Sequence, residues 1–198
     1  LFDCLKKGTA PQQVVAFARE YLREEGFEEL YYDRLFSPRL SGRYFITPFP
    51  DVLFAFTMGQ RRAYIQPARM AFAHVDQPCF KVKARPEFRK RPVAVIPGIA
   101  IHMQRDANSG WKIDRQKELM PVTGVTGASW TEGAFVHFLA RELNVDDSEI
   151  LSFELNLYNY DEPQLIGLSQ DLVLSPRLDN LASVSALLEA LVEGERGN

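Results

Sequence analysis

Asp171-Leu172-Val173-Leu174-Ser175-Pro176-Arg177-Leu178-Asp179-Asn180-Leu181 passes from a short apolar run, through a proline turn, into an amphipathic stretch. That stretch continues with Val184, Leu187, Leu188 and Leu191 at helical spacing. Residues 171–174 read as a short strand, so the whole segment is a strand-to-helix turn. Open α/β sheets bind their ligands at that edge, beyond the carboxyl ends of the strands. Asp179 and Asn180 fall at capping positions, where a side-chain oxygen can satisfy free helix N–H groups. In isolation that ordinary role accounts for both. A carboxylate at this edge can also use its two oxygens for two cations, as two-metal sites require.

A second segment, Ala73-His74-Val75-Asp76, closes the nearly continuous apolar run Met70–Val75, which reads as a strand buried on both faces. Residues two apart in a strand point the same way, so His74 and Asp76 are expected on one side. A carboxylate beside a metal-bound imidazole can fix the ring and tune its basicity. On spacing alone, however, a hydrogen-bonded histidine at a strand end is the better explanation of His-x-Asp.

The rest of the chain alternates helix and strand signals. Thr9 and Pro11 mark a helix start, Val14, Phe17, Ala18, Tyr21 and Leu22 fall on one face, and Gly26 ends the run. Arg43–Thr47 and Val52–Met58 read as strands joined by a turn at Pro48-Phe49-Pro50-Asp51. From Lys81 to Arg91 the composition shifts to charge and proline, which marks a domain boundary. Val93–Met103 is an apolar extended run broken by Pro97-Gly98, Asn108–Gly110 is a turn, and Trp111–Thr123 is irregular. Glu132–Leu143 is expected to be helical, Leu151–Tyr158 a half-exposed strand, and Asp161–Gly167 a loop. There is no internal repeat.

A net charge of -3 from 23 basic and 26 acidic residues gives no electrostatic reason to expect nucleic acid or an anionic membrane as partner. No apolar stretch approaches the ~18 residues that span a bilayer. Two cysteines, Cys4 and Cys79, cannot form a disulfide framework, and a reducing, cytoplasmic setting is expected. The chain begins with Leu1 and without a long apolar leader, and its natural start is expected to lie upstream. Of the other polar groups, His102 reads as a partly buried histidine in an apolar strand, His137 as a surface or interface residue, and Cys79 as a packed thiol. Asp146, Asp147 and Glu149 lack the regular oxygen spacing of a calcium loop. No phosphate-binding glycine loop or supported nucleophile is present.

The spelling of several segments resembles the aspartyl aminopeptidase family of di-zinc metallopeptidases. Ala73-His74-Val75-Asp76-Gln77-Pro78-Cys79 is similar to that family's Ala-His-x-Asp-Ser-Pro segment. Ser175-Pro176-Arg177-Leu178-Asp179-Asn180 is similar almost letter for letter to its Ser-Pro-Arg-Leu-Asp-Asn segment. Ile96-Pro97-Gly98-Ile99-Ala100-Ile101-His102 and Ile150–Tyr158 resemble two further stretches in the same order. The resemblance implies an α/β metallopeptidase domain, residues 1–80 and 161–198, with an inserted β-rich dimerisation domain at 81–160. It implies two zinc ions, with His74 binding one, Asp179 bridging both, and Asp76 orienting His74. The implied activity is release of N-terminal residues, acidic ones by family preference, from peptide substrates by a metal-activated water. Dimers assembling into a dodecamer are implied as well.

The chain departs from the family pattern in three places. The general-base glutamate finds no match, because Glu193 and Glu195 flank Gly194 instead of forming a pair, and the later Asp and His ligands find none before Asn198. A Gly- and Trp-rich segment is missing where Phe88 runs into Arg89-Lys90-Arg91. The chain is therefore expected to be an incomplete representation of its protein. A non-catalytic structural or cargo relative, keeping the fold and the assembly surface, is the alternative reading. An unrelated α/β binding module, with His74 and Asp179 far apart in space, is a third.

Overall fold

The computed structural model describes residues 1–59, 69–77, 79–82, 94–96, 110, 112–114, 118–123, 133–153 and 155–194. The chain divides into two compact units, Leu1–Phe80 with Asp161–Asn198, and Lys81–Tyr160.

Among its described residues, the first unit is built around three helices. Helix α1 (Phe2–Lys7) was not foreseen from sequence, because six residues are too few to display a period. Helix α2 (Pro11–Glu24) places Val14, Val15, Ala18 and Leu22 inside. Its cap is Ala10, with Pro11 at the first helical position and no side-chain cap bond. Gly26 ends α2 at φ 82, with the amide of Phe27 bonded to the Leu22 carbonyl and that of Gly26 to Arg23. This paired closure needs a left-handed residue, which glycine adopts without a Cβ clash.

Strands β1 (Glu28–Leu30), β2 (Arg43–Phe49) and β3 (Val52–Thr57) form one sheet in that order, β1 parallel and β3 antiparallel to β2. Strand β2 continues through Pro48, which sequence reading placed in the turn. The register shifts between Ile46 and Phe49, and such a bulge tolerates a residue with no N–H to donate.

Strands β6 (Gln164–Ile166) and β7 (Leu172–Leu174) form a hairpin, where a loop was expected before β7. Helix α4 (Leu178–Glu193) follows. Cys4, Leu5, Val14, Ala18, Leu22, Phe27, Phe45, Leu181, Val184, Leu188 and Val192 make a single buried cluster joining α1, α2, α4 and the sheet. Each of the larger side chains contributes about 1.5–3 kcal/mol on burial.

The run Met70–Val75 corrects the sequence reading. It is assigned to no strand, and Met70 and Phe72 are exposed. Side-chain periodicity registers apolar letters, whereas a strand also needs a neighbouring backbone to bond. The alternation is nonetheless present: Ala73 and Val75 pack on the core, while Phe72, His74 and Asp76 face outward.

In the second unit, helix α3 (Ala134–Leu143) buries Leu139 and Ala140 and closes on Asn144 at φ 56. Leu139 packs with Leu155, Phe138, Ile150 and Phe153. Strand β5 (Leu155–Leu157) is shorter than the Leu151–Tyr158 run expected, with residues 151–153 outside it. It forms a two-stranded sheet with β4 (Phe80–Val82). Asp147–Glu149 forms a short 3-10 turn, with Asp146 as its cap residue and reciprocal bonds between Asp146 and Glu149. His137 is exposed and lies 3.2 Å from the Asp147 carboxylate. Most of Val93–Met103, including His102, lies outside the described residues, as do Pro78, Glu132 and Glu195. Among the described residues, no helix is long and apolar enough to cross a membrane.

Candidate metal centre

The two segments singled out in the sequence meet. The Nε2 of His74 lies 3.2 Å from Oδ1 of Asp179. On the other side of the ring, Nδ1 lies 3.2 Å from Oδ1 of Asp76 and 3.0 Å from that residue's backbone oxygen. Outward alternation along 72–77 aims His74 and Asp76 away from the core. Asp179 stands where the chain leaves β7 and has not yet settled into a regular helix. Its φ and ψ are -87° and 108°, and those of Asn180 are also non-helical. Leu181, wholly buried, anchors the first regular turn.

Asp179 was expected to double as a helix cap, and it does not. The cap position belongs to Arg177, in a left-handed conformation at φ 67 and without a side-chain cap bond. The Asp179 carboxylate is 92% exposed and its near oxygen is turned to His74. His74 itself is 52% exposed.

The imidazole is held between two carboxylates. The bond between Nδ1 and the Asp76 carbonyl is the largest influence on its pKa and raises it above the ordinary value. Partial shielding from water works against that, and the charges of Asp76 and Asp179 add to the rise. A ring whose Nδ1–H is held by Asp76 presents the Nε2 lone pair toward Asp179 once the second proton leaves.

Two donors on one tetrahedral zinc, each about 2.0–2.2 Å from it, lie roughly 3.3–3.5 Å apart. The 3.2 Å between His74 Nε2 and Asp179 Oδ1 is close to one edge of such a tetrahedron. Asp76 faces the opposite ring nitrogen, so it cannot reach the same cation and is suited to orienting the ring. Among the described residues, no group of three or more His, Cys, Asp or Glu side chains is arranged to hold a metal ion. An imidazole nitrogen and a carboxylate oxygen 3.2 Å apart are donors of the kind zinc takes.

Comparison with known proteins places the chain in a family. A family model described as "Aminopeptidase I zinc metalloprotease (M18)" matches residues 4–91 and 87–198. The two stretches meet where Phe88 runs into Arg89. The chain is 31% identical over 242 residues to "Probable M18 family aminopeptidase 2" of Azotobacter vinelandii, covering 97% of this chain and 56% of that protein. The same-named protein of Pseudomonas savastanoi pv. phaseolicola is 29% identical over 244 residues, covering 98% and 57%. The chain thus spans little more than half the length of the curated relatives it matches. Among solved structures, a chain in "Cryo-EM structure of the Ape4 and Nbr1 complex" superposes with a TM-score of 0.71 at 21% identity, covering 97% of this chain and 49% of that one. The M18 aminopeptidase of Thermotoga maritima superposes with a TM-score of 0.70 at 14% identity, covering 96% and 53%. At these identities the likeness is one of fold, and the fold is that of an α/β metallopeptidase. The chain belongs to the M18 aminopeptidase I family of zinc metalloproteases.

Proposed function

We propose that the protein carrying this chain is a zinc-dependent aminopeptidase that removes N-terminal residues, acidic ones by preference, from peptides. The observation that supports it most is the approach of the His74 imidazole to the Asp179 carboxylate, with a second carboxylate fixing the ring from behind. His74 would bind one zinc through Nε2. Asp179 would offer one oxygen to that ion and the other to a second. Asp76, holding Nδ1–H, would keep the ring in the tautomer that leaves Nε2 free. When bound, zinc would supply a water acidic enough to attack the scissile carbonyl near neutral pH. The high exposure of Asp179 leaves its second oxygen open to a further cation.

Dimerisation through residues 81–160, assembly into a dodecamer and a cytoplasmic setting belong to the same reading. One relative of the fold is described as a dodecamer, "Structure of S. cerevesiae mApe1 dodecamer". A non-catalytic structural or cargo relative, keeping the fold and the assembly surface, is the second reading.

The test is release of N-terminal Asp or Glu from short peptides by the full-length protein, abolished by a chelator and restored by zinc. Full-length protein that stays inactive on such peptides after zinc addition, while still folded and oligomeric, would favour the non-catalytic relative.

A further inference from the structure

Arg177 is a long, charged residue in a conformation that residues with a Cβ seldom adopt, two positions before Asp179. Its Nη2 donates to the backbone carbonyl of Leu5, 2.9 Å away and 172 positions distant in sequence. Leu5 sits in the last turn of α1, where carbonyls have no partner within the helix. The neighbouring carbonyls are satisfied locally: Cys4 accepts from the Gly8 amide at 2.8 Å, and Lys7 from Thr9 at 2.9 Å. The Leu5 carbonyl instead receives the guanidinium.

A second, independent contact joins the same two places. A Cβ at Gly8, the residue that ends α1, would lie 3.1 Å from Cδ1 of Leu181. Leu181 is the first wholly buried residue after Asp179, and its amide bonds back to the Arg177 carbonyl at 3.2 Å. The turn 177–181 is thus gripped by α1 at both ends, by a charged hydrogen bond at Arg177 and by close packing at Leu181. Between the grips stands Asp179, whose carboxylate is almost wholly exposed.

We propose that Arg177 is a positioning residue: by tying the turn to helix α1, it holds the Asp179 carboxylate at the distance from His74 that a shared cation requires. Its consequence for metal rests on the zinc reading above, whereas the tether itself does not. Residues 1–8 then act as a brace for the metal site instead of a dispensable lead-in.

The test compares Arg177→Gly and Arg177→Lys in the full-length protein. Glycine takes the left-handed conformation freely, so Arg177→Gly removes the tether without penalising the backbone. Lysine keeps one charged donor but lacks the planar fork of arginine. In metal-free protein, amide exchange over 175–181 should rise in Arg177→Gly, with the β2–β3 hairpin unchanged, and fall partway back in Arg177→Lys. Zinc affinity, measured by competition with a chromophoric chelator, should weaken roughly 10- to 100-fold in Arg177→Gly, as for other residues that orient ligands. Exchange over 175–181 equal to wild type would overturn the tether. Faster exchange with unchanged zinc affinity would overturn the positioning role. If wild-type protein takes up no zinc, the metal reading fails on its own, and the exchange data still decide whether Arg177 ties the turn.

Discussion

Replacing Gly8 by alanine sets two opposed effects against each other at the base of the metal-binding turn. Gly8 has φ -79 and ψ 62, values open to any L-residue, so alanine meets no conformational barrier there. Reduced freedom of the unfolded chain would then stabilise Gly8→Ala by about 0.4–1 kcal/mol. Against this, the added Cβ would stand 2.7 Å from the Cys4 carbonyl oxygen, 3.0 Å from Val14 Cγ2 and 3.1 Å from Leu181 Cδ1. The first is a backbone atom already bonded to the Gly8 amide, and it cannot swing aside as a side chain would. The other two belong to fully buried residues. Forcing a methyl into such a core costs about 1–3 kcal/mol. The clash outweighs the entropy gain, leaving a net loss of about 1 kcal/mol or somewhat more. For a protein of this size that lowers Tm by roughly 2–4 °C, or shifts the urea midpoint in the transition of the unit that holds Gly8. A Gly8→Ala protein as stable as wild type, or more so, would refute the close approach of α1 to α4.

Three further substitutions probe the frame and the site. Leu181→Ala, at a site with no exposure, should cost about 2–5 kcal/mol in denaturant titration, while a fully exposed control such as Leu35→Ala should change little. Glu29 bears on pH. Burial pushes its carboxyl up, and hydrogen bonds from Arg23 and Arg19 more than offset that, holding it below the ordinary value. Its side chain is 7% exposed. Because its folded pKa is depressed, its contribution is complete above the unfolded value of about 4.3 and is lost as pH falls through the folded one. Glu29→Gln should therefore be less stable than wild type at pH 7, and the gap should close below about pH 4. A gap that is constant with pH would mean the arginines do not hold the charged form. Asp76→Asn should weaken zinc binding roughly 10- to 100-fold while leaving Tm in chelator unchanged, since its work is on the His74 ring.

How much of this could be read beforehand differs by element. The strand-turn-helix around Asp179 was legible because three signals coincide there: a β-rich tetrapeptide, a proline and a helical apolar stripe. Helix α2 was legible for similar reasons, with Gly26 supplying the left-handed residue that closes it. Strand β1 was not, since three residues carry no period and its pairing with β2 is decided by tertiary contact. The Met70–Val75 run misled because it spells two-sided burial, while Met70 and Phe72 lie open. At the site, outward alternation of His74 and Asp76 followed from the period of extended chain. Two things left no trace in the letters: the left-handed backbone at Arg177, and its bond to Leu5 from the opposite end of the chain.

A cation gripped in common by His74 and Asp179 is the centre of the proposed site. Zinc stoichiometry and affinity, measured on the full-length protein beside His74→Ala and Asp179→Ala, test this directly. A bridging carboxylate predicts that His74→Ala loses tight binding of one ion and Asp179→Ala weakens both. Two variants that bind zinc as wild type does, in number and affinity, would contradict it.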